Sequence, residues 1–237
     1  MIHGLHTAAV RRIPLMLALA MACAGTGRGG TAGGAVEGLR YLALGDSYTI
    51  GEGVAPEERW PAQLVGLLRA RGLDVADPEI VATTGWTTDE LDAGIDAAAP
   101  RGPYALVSLL IGVNNQYRGL SIDAYRSEFC ALLQRAIGFA GGDASRVVVL
   151  SIPDWGVTAF AEGRDRVQIA RETDAFNAVN RDVAGELGAR WVDVAPSSRR
   201  APAAVVADGL HPSGDQYREW AALALPEALA ALGASSR

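Results

Sequence analysis

Three histidines occur in the 237 residues: His3, His6 and His211. The first two fall in an amino-terminal stretch that reads as a removable leader, so an imidazole base in the mature chain has to be His211. Asp208 stands three residues before it, in Asp208-Gly209-Leu210-His211-Pro212. A hydroxyl that such a base could activate lies far upstream, at Ser47 in Gly45-Asp46-Ser47. Serine attacks poorly unless a base removes its proton, and imidazole, with an ordinary pKa of ~6.5, can do this near neutral pH. An aspartate beside the ring orients it and stabilises the imidazolium that forms. Attack on an acyl carbonyl also builds a negative oxygen that needs fixed donors. The backbone N–H groups of Ser47 and Gly85 and the side-chain amide of Asn114 are the candidates. Taken singly, each residue has an ordinary structural reading as a loop serine, a turn glycine, a cap asparagine or a helix-capping aspartate. Trp60, Trp86 and Trp155 read as packing residues of the core or rim.

The elements around these residues decide whether they can meet. Tyr41-Leu42-Ala43-Leu44 is an apolar run closed by Gly45, the pattern of a buried strand ending in a tight turn. Residues 58–71 carry Trp60, Leu64, Leu67 and Leu68 at helical spacing. Ile80-Val81-Ala82 predicts a second strand running into Thr83-Thr84-Gly85-Trp86, and Thr87 with Glu90 forms a capping box for a helix that ends before Pro100. Residues 104–111 are almost continuously apolar, as in a central strand covered on both faces, and end at Gly112-Val113-Asn114-Asn115. Ser121 then caps a helix with Ile122, Tyr125, Phe129, Leu132 and Leu133 on one face. A fourth strand at 147–150, a helix at 167–187, a fifth strand at 191–194 and a last helix at 214–232 follow. This alternation predicts an α/β fold, a three-layer α/β/α sandwich on a mainly parallel five-stranded sheet, as one domain over residues 39–237. In such a sheet the loops carrying Ser47, Gly85 and Asn114 open on the same edge.

Composition bounds the rest. With 49% hydrophobic and 20% charged residues, the chain can bury a sizeable core. Its net charge of -6 and lack of a basic stripe argue against nucleic acid as a partner. Residues 1–24 have the pattern of an export signal, with Arg11 and Arg12 before an apolar stretch too short to cross a bilayer as a transmembrane helix. Ala20-Met21-Ala22 offers a small-x-small cleavage site before Cys23. That cysteine also suggests a lipid anchor, although Leu19 lies one position too early for the usual lipoprotein box. The glycine-rich segment 25–38 reads as a flexible tether. An exported bacterial protein, periplasmic, extracellular or anchored at Cys23, is expected, acting as a monomer. Cys130 is then the remaining cysteine, read as a small buried hydrophobe. Two cysteines and one mature histidine allow neither a disulfide framework nor a multi-histidine metal site, and no cofactor is expected; a carboxylate site for a hard cation stays open.

The chain resembles the SGNH/GDSL hydrolase superfamily. Gly45-Asp46-Ser47 is similar to its first block, Gly85 to its second, Gly112-Val113-Asn114 to its third and Asp208-Gly209-Leu210-His211-Pro212 to its last, in family order across the mature chain. The resemblance implies a flavodoxin-like α/β fold and hydrolysis of esters or thioesters. It implies Ser47 as nucleophile, His211 as base, Asp208 as orienter, and Ser47, Gly85 and Asn114 as the oxyanion hole. Asp46 and Tyr48 resemble the bacterial lysophospholipase/arylesterase-like branch more than the carbohydrate deacetylases. Lysophospholipids or short-chain acyl or aryl esters are therefore the expected substrates. A sugar O-acetyl esterase is the first alternative, and a catalytically silent envelope binding protein the second. One departure is Asn115, where the third block commonly has aspartate.

Overall fold

The apolar runs of the sequence pair side by side as parallel strands. A computed structural model describes residues 38–234; the expected leader, Cys23 and almost all of the segment expected to be a glycine-rich tether lie outside the described residues. The strands are β1 (Tyr41–Gly45), β2 (Glu79–Ala82), β3 (Leu106–Leu110), β4 (Val147–Leu150) and β5 (Arg190–Val192). They form one sheet in the order β2-β1-β3-β4-β5, with every pairing parallel. The helices are α1 (Ser47–Ile50), α2 (Trp60–Ala70), α3 (Thr88–Ala98), α4 (Val113–Tyr117), α5 (Ile122–Phe139), α6 (Arg166–Leu187), α7 (Ala195–Arg200) and α8 (Gly214–Ala231).

Burial follows position in the sheet. Every residue of β1, β3 and β4 is buried, whereas the edge strands β2 and β5 are only partly covered. Central strands of a parallel sheet are covered on both faces, which is why their sequences are continuous apolar runs. One group of helices packs α2 on α8, and a second packs α5 against α3 and α6, giving the two outer layers. Trp60, Leu64 and Leu68 of α2 are buried, as are Tyr125, Phe129, Leu132 and Leu133 of α5. Ile122, expected on that same face, is 36% exposed at the first residue of α5. Cys130 is half-buried and not fully enclosed, since it lies one position beyond the buried Phe129 and so off the stripe facing the core.

The chain runs from β1 outward to β2 and returns across β1 to β3, so the sheet order reverses between the two innermost crossovers. Open α/β sheets have their ligand crevice at the carboxyl ends of strands beside such a reversal. Gly45 closes β1 there for a steric reason. A Cβ at this position would come within 2.5 Å of the Leu110 carbonyl oxygen at the end of β3 and would collide with the Thr49 side chain.

Candidate functional site

Immediately after β1, Asp46 starts a helical turn. Its carboxylate Oδ1 accepts the Tyr48 N–H at 3.0 Å, which caps α1 and makes Ser47 its first residue. Ser47 is 4% exposed and lines the cleft above the sheet edge. Asp46 itself is fully buried, and burial pushes its pKa up to about 7 against the opposing hydrogen bond from Tyr48. Its second oxygen, Oδ2, has no hydrogen-bond partner among the described residues.

The segment that carries Asp208 and His211 is a closed loop, pinned where Val205 bridges Pro212 and the Val206 N–H donates to the His211 carbonyl at 2.8 Å. Inside it, Asp208 Oδ1 accepts the backbone N–H groups of Leu210 and His211 at 2.8 and 2.9 Å. Asp208 Oδ2 lies 2.6 Å from His211 Nδ1. Partial burial works against the Asp208 carboxylate, but the bonds from the His211 ring and from the two backbone N–H groups outweigh it, so its pKa falls below the usual range. With Nδ1 turned to the carboxylate, the other ring nitrogen is the one left to exchange a proton with a ligand. The edge of Tyr48 packs on the imidazole, ring centroids 5.7 Å apart.

The loops after β2 and β3 are stitched together. Gly85 adopts φ +89°, a conformation that side-chain-bearing residues rarely take. Neither the Ser47 nor the Gly85 N–H donates to a backbone acceptor among the described residues. Asn114, at the start of α4, donates one Nδ2 hydrogen to the Trp86 carbonyl at 2.9 Å. An amide has two such hydrogens, so one remains. Asn115 is buried and bonds twice to Thr88: its Oδ1 accepts the Thr88 N–H at 3.1 Å, and its Nδ2 donates to the Thr88 hydroxyl at 2.6 Å. That hydroxyl in turn donates to the Glu128 carboxylate. The two adjacent asparagines thus face different partners, and only Asn114 lines the cleft.

Ser47, Gly85, Asn114 and His211 share one cleft of about 160 Å³. Its remaining walls are mostly apolar and include Tyr117, Trp155, Phe160 and Leu210. Trp155 is held from behind, its indole N–H donating to Gln116 at 2.7 Å and Gln116 donating to Glu172 at 2.7 Å. The turn that carries Trp155 is anchored by the buried Asp154, which pairs with Arg199 at 2.8 Å. The Arg164 guanidinium sits 5.2–5.4 Å from the ring centres of Tyr117, Trp155 and Phe160.

Residues 43–219 match the GDSL-like lipase/acylhydrolase family. The chain belongs to that family. This GDSL hydrolase is accordingly a carboxylic ester hydrolase, a serine esterase in the general sense. Solved structures with the same fold include TesA, 22% identical with a TM-score of 0.62 over 79% of this chain and 97% of that one. An acetylxylan esterase, Axe2 from Geobacillus stearothermophilus, is 21% identical with a TM-score of 0.61 over 85% of this chain and 98% of that one. The psychrotrophic esterase EstA from Pseudoalteromonas sp. is 17% identical with a TM-score of 0.57 over 82% and 97%. No curated protein sequence matches the chain.

The hydrolase brings the candidate residues named from the sequence to one edge of its sheet, Asp208 reaching the cleft through His211. Trp60 is core and Trp86 packs over Gly94, as packing residues would. Trp155 differs from expectation, since it forms a cleft wall as well as packing inward. Tyr117, Phe160 and Arg118 carry no sequence signal of a site, because isolated residues in short turns have no periodicity to betray them. Among the described residues no three His, Cys, Asp or Glu side chains are grouped to hold a metal ion, and no helix is long and apolar enough to cross a membrane.

Proposed function

We propose that this protein is an exported serine esterase that hydrolyses short-chain acyl or aryl esters through an acyl-serine intermediate. Ser47 Oγ attacks the ester carbonyl while His211 takes its proton, and Asp208 steadies the imidazolium. The Ser47 and Gly85 N–H groups and the free Asn114 N–H stabilise the oxyanion, which then collapses to expel the alcohol as His211 returns the proton. Water, deprotonated by His211, next releases the acid. The observation that carries the substrate reading is the size of the apolar cleft. At about 160 Å³ it resembles a cavity of about 150 Å³ that holds one benzene. A short acyl or aryl group fits inside it, whereas a long lysophospholipid chain would extend beyond it. The leader at residues 1–24 supports export.

A carbohydrate O-acetyl esterase is the second reading. It is favoured by a groove of about 300 Å³ that shares the Tyr117 and Trp155 wall and adds Arg164, Asp165, Gln168 and Glu172. Aromatic faces beside mixed polar groups suit hydroxylated leaving groups. Axe2, which shares the fold, is an acetylxylan esterase. The decisive experiment is a panel of 4-nitrophenyl esters from acetate to dodecanoate beside acetylated xylan, run with wild type and Ser47→Ala. The expected result is a maximum at two to about six carbons and loss of nearly all turnover in the variant. Wild-type rates from Ser47→Ala would overturn the mechanism, and a preference for dodecanoate would overturn the substrate assignment.

A further inference from the structure

The Gly85 turn has little of its own to hold it. It follows the edge strand β2, and its one closing backbone bond, from the Trp86 N–H to the Thr83 carbonyl, is long at 3.3 Å. A Cβ built on Gly85 would find a single atom within 4 Å, a terminal nitrogen of Arg118 at 3.9 Å. A glycine at positive φ in open space is free to rotate its flanking peptides. Left alone, it would be a poor mount for a donor that must not move during reaction.

The Thr84 hydroxyl donates to Glu52 and Asn114 donates to the Trp86 carbonyl, on either side of Gly85; Arg118 adds the bond to Gly85 itself. Its Nη2 donates to the Gly85 carbonyl at 2.6 Å, and its two terminal nitrogens each lie 3.2 Å from a Glu90 oxygen. Glu90 in turn accepts the Thr87 N–H at 2.9 Å, so the guanidinium is fixed against the start of α3. At its other end, Arg118 closes α4, its backbone N–H donating to the Asn114 carbonyl at 3.0 Å. A planar fork holds a carbonyl and both carboxylate oxygens in one fixed geometry, which a flexible ammonium reproduces only in part. One side chain therefore links the Gly85–Trp86 peptide, which adjoins the peptide carrying the Gly85 N–H, to the helix turn that carries Asn114, from the β3 loop.

We propose that Arg118 is a positioning residue that locks Gly85 and Asn114 at the spacing the oxyanion requires. The proposal rests on the roles assigned above to Ser47, Gly85 and Asn114. Arg118 lies in the rim, its side chain 44% exposed, and does not line the cleft. An exposed ion pair of this kind contributes little to stability. A purely structural role and a positioning role thus predict different things. The positioning role predicts a loss confined to the transition state.

The test measures kcat and KM for 4-nitrophenyl butyrate in Arg118→Ala and Arg118→Lys. It adds the inhibition constant of an alkyl trifluoromethyl ketone, to which Ser47 Oγ adds while its proton passes to His211, leaving a negative oxygen in the hole. The expected result for Arg118→Ala is a kcat lower by roughly 10- to 100-fold, with KM within about 3-fold. Ketone affinity should fall in parallel with kcat/KM, the melting temperature should drop by less than about 4 °C, and Arg118→Lys should recover part of the loss. A kcat within 2-fold of wild type, or a lowered kcat with unchanged ketone affinity, overturns the proposal. Should Arg118→Ala fail to fold, Arg118→Lys decides by the same two readouts. Turnover by Ser47→Ala under the same conditions would refute the serine mechanism itself, whereas an inactive Ser47→Ala beside a fully active Arg118→Ala refutes the lock alone.

Discussion

Replacing Asp46 by Asn should shift stability toward the variant, relative to wild type, increasingly as pH rises. Asp46 is completely buried, Oδ2 has no partner, and burial pushes its pKa to about 7 from an ordinary 3.8. The folded state therefore holds a proton that the unfolded state releases above about pH 4. Between about pH 4 and 7 the unfolded chain binds fewer protons, so stability falls as pH rises, by about 1.4 kcal/mol per pH unit at most. Above pH 7 the full penalty stands, up to about 4 kcal/mol. Asparagine keeps the shape and the capping oxygen that receives the Tyr48 N–H, and it cannot ionise. Urea denaturation of wild type and Asp46→Asn at pH 4 and pH 8 isolates this one carboxyl, because every other titrating group is common to both proteins. The stability difference should shift toward the variant by roughly 2–4 kcal/mol between those pH values. A difference that stays constant with pH would refute the reasoning, since the burial penalty would then be relieved by something other than a proton.

Three further outcomes are expected. Asp208→Asn should lower kcat by roughly 10²–10⁴ with little change in KM, because the amide cannot stabilise the imidazolium across the 2.6 Å contact; single-turnover kinetics would check it. Asn114→Ala should cost roughly 10²–10³ in kcat, the usual loss for one oxyanion donor, with KM measured alongside on the same aryl ester. Phe160→Ala removes a cleft wall that is already 37% exposed, so the chain-length optimum of the 4-nitrophenyl series should move to longer acyl groups with little loss of stability.

The strands were legible in the sequence because parallel strands covered on both faces become nearly continuous apolar runs, as β1 and β4 are and as β3 is but for Ser108, whose hydroxyl is bonded to Tyr41. The short helices α4 and α7 were not legible. Five or six residues span too few turns for a 3.6-residue period to emerge, and α4 begins inside the Gly112-Val113-Asn114-Asn115 motif. Ser47, Gly85, Asn114, Asp208 and His211 could be named because the proposed chemistry needs their residue types, the first three at strand ends and the last two in the loop before the last helix. What holds them could not be named. Arg118 reaches Gly85 across 33 positions, and Trp155 reaches Gln116 across 39. Contacts of that span depend on the folded loops and leave no local pattern.

The Asn115–Thr88–Glu128 chain also couples positions 115 and 128. The threonine hydroxyl has a single hydrogen, and Glu128 takes it, so position 115 has to donate, as asparagine does. An aspartate there, the residue more common in this block, would turn a second carboxylate toward a hydroxyl with nothing left to give. A buried acceptor without a donor costs about 1–3 kcal/mol. Glutamine at 128 removes the conflict, because its amide can face the hydroxyl as donor or acceptor and so suits either residue at 115. The two substitutions are thus coupled: Asn115→Asp alone should destabilise the fold, and Glu128→Gln made first should relieve that cost.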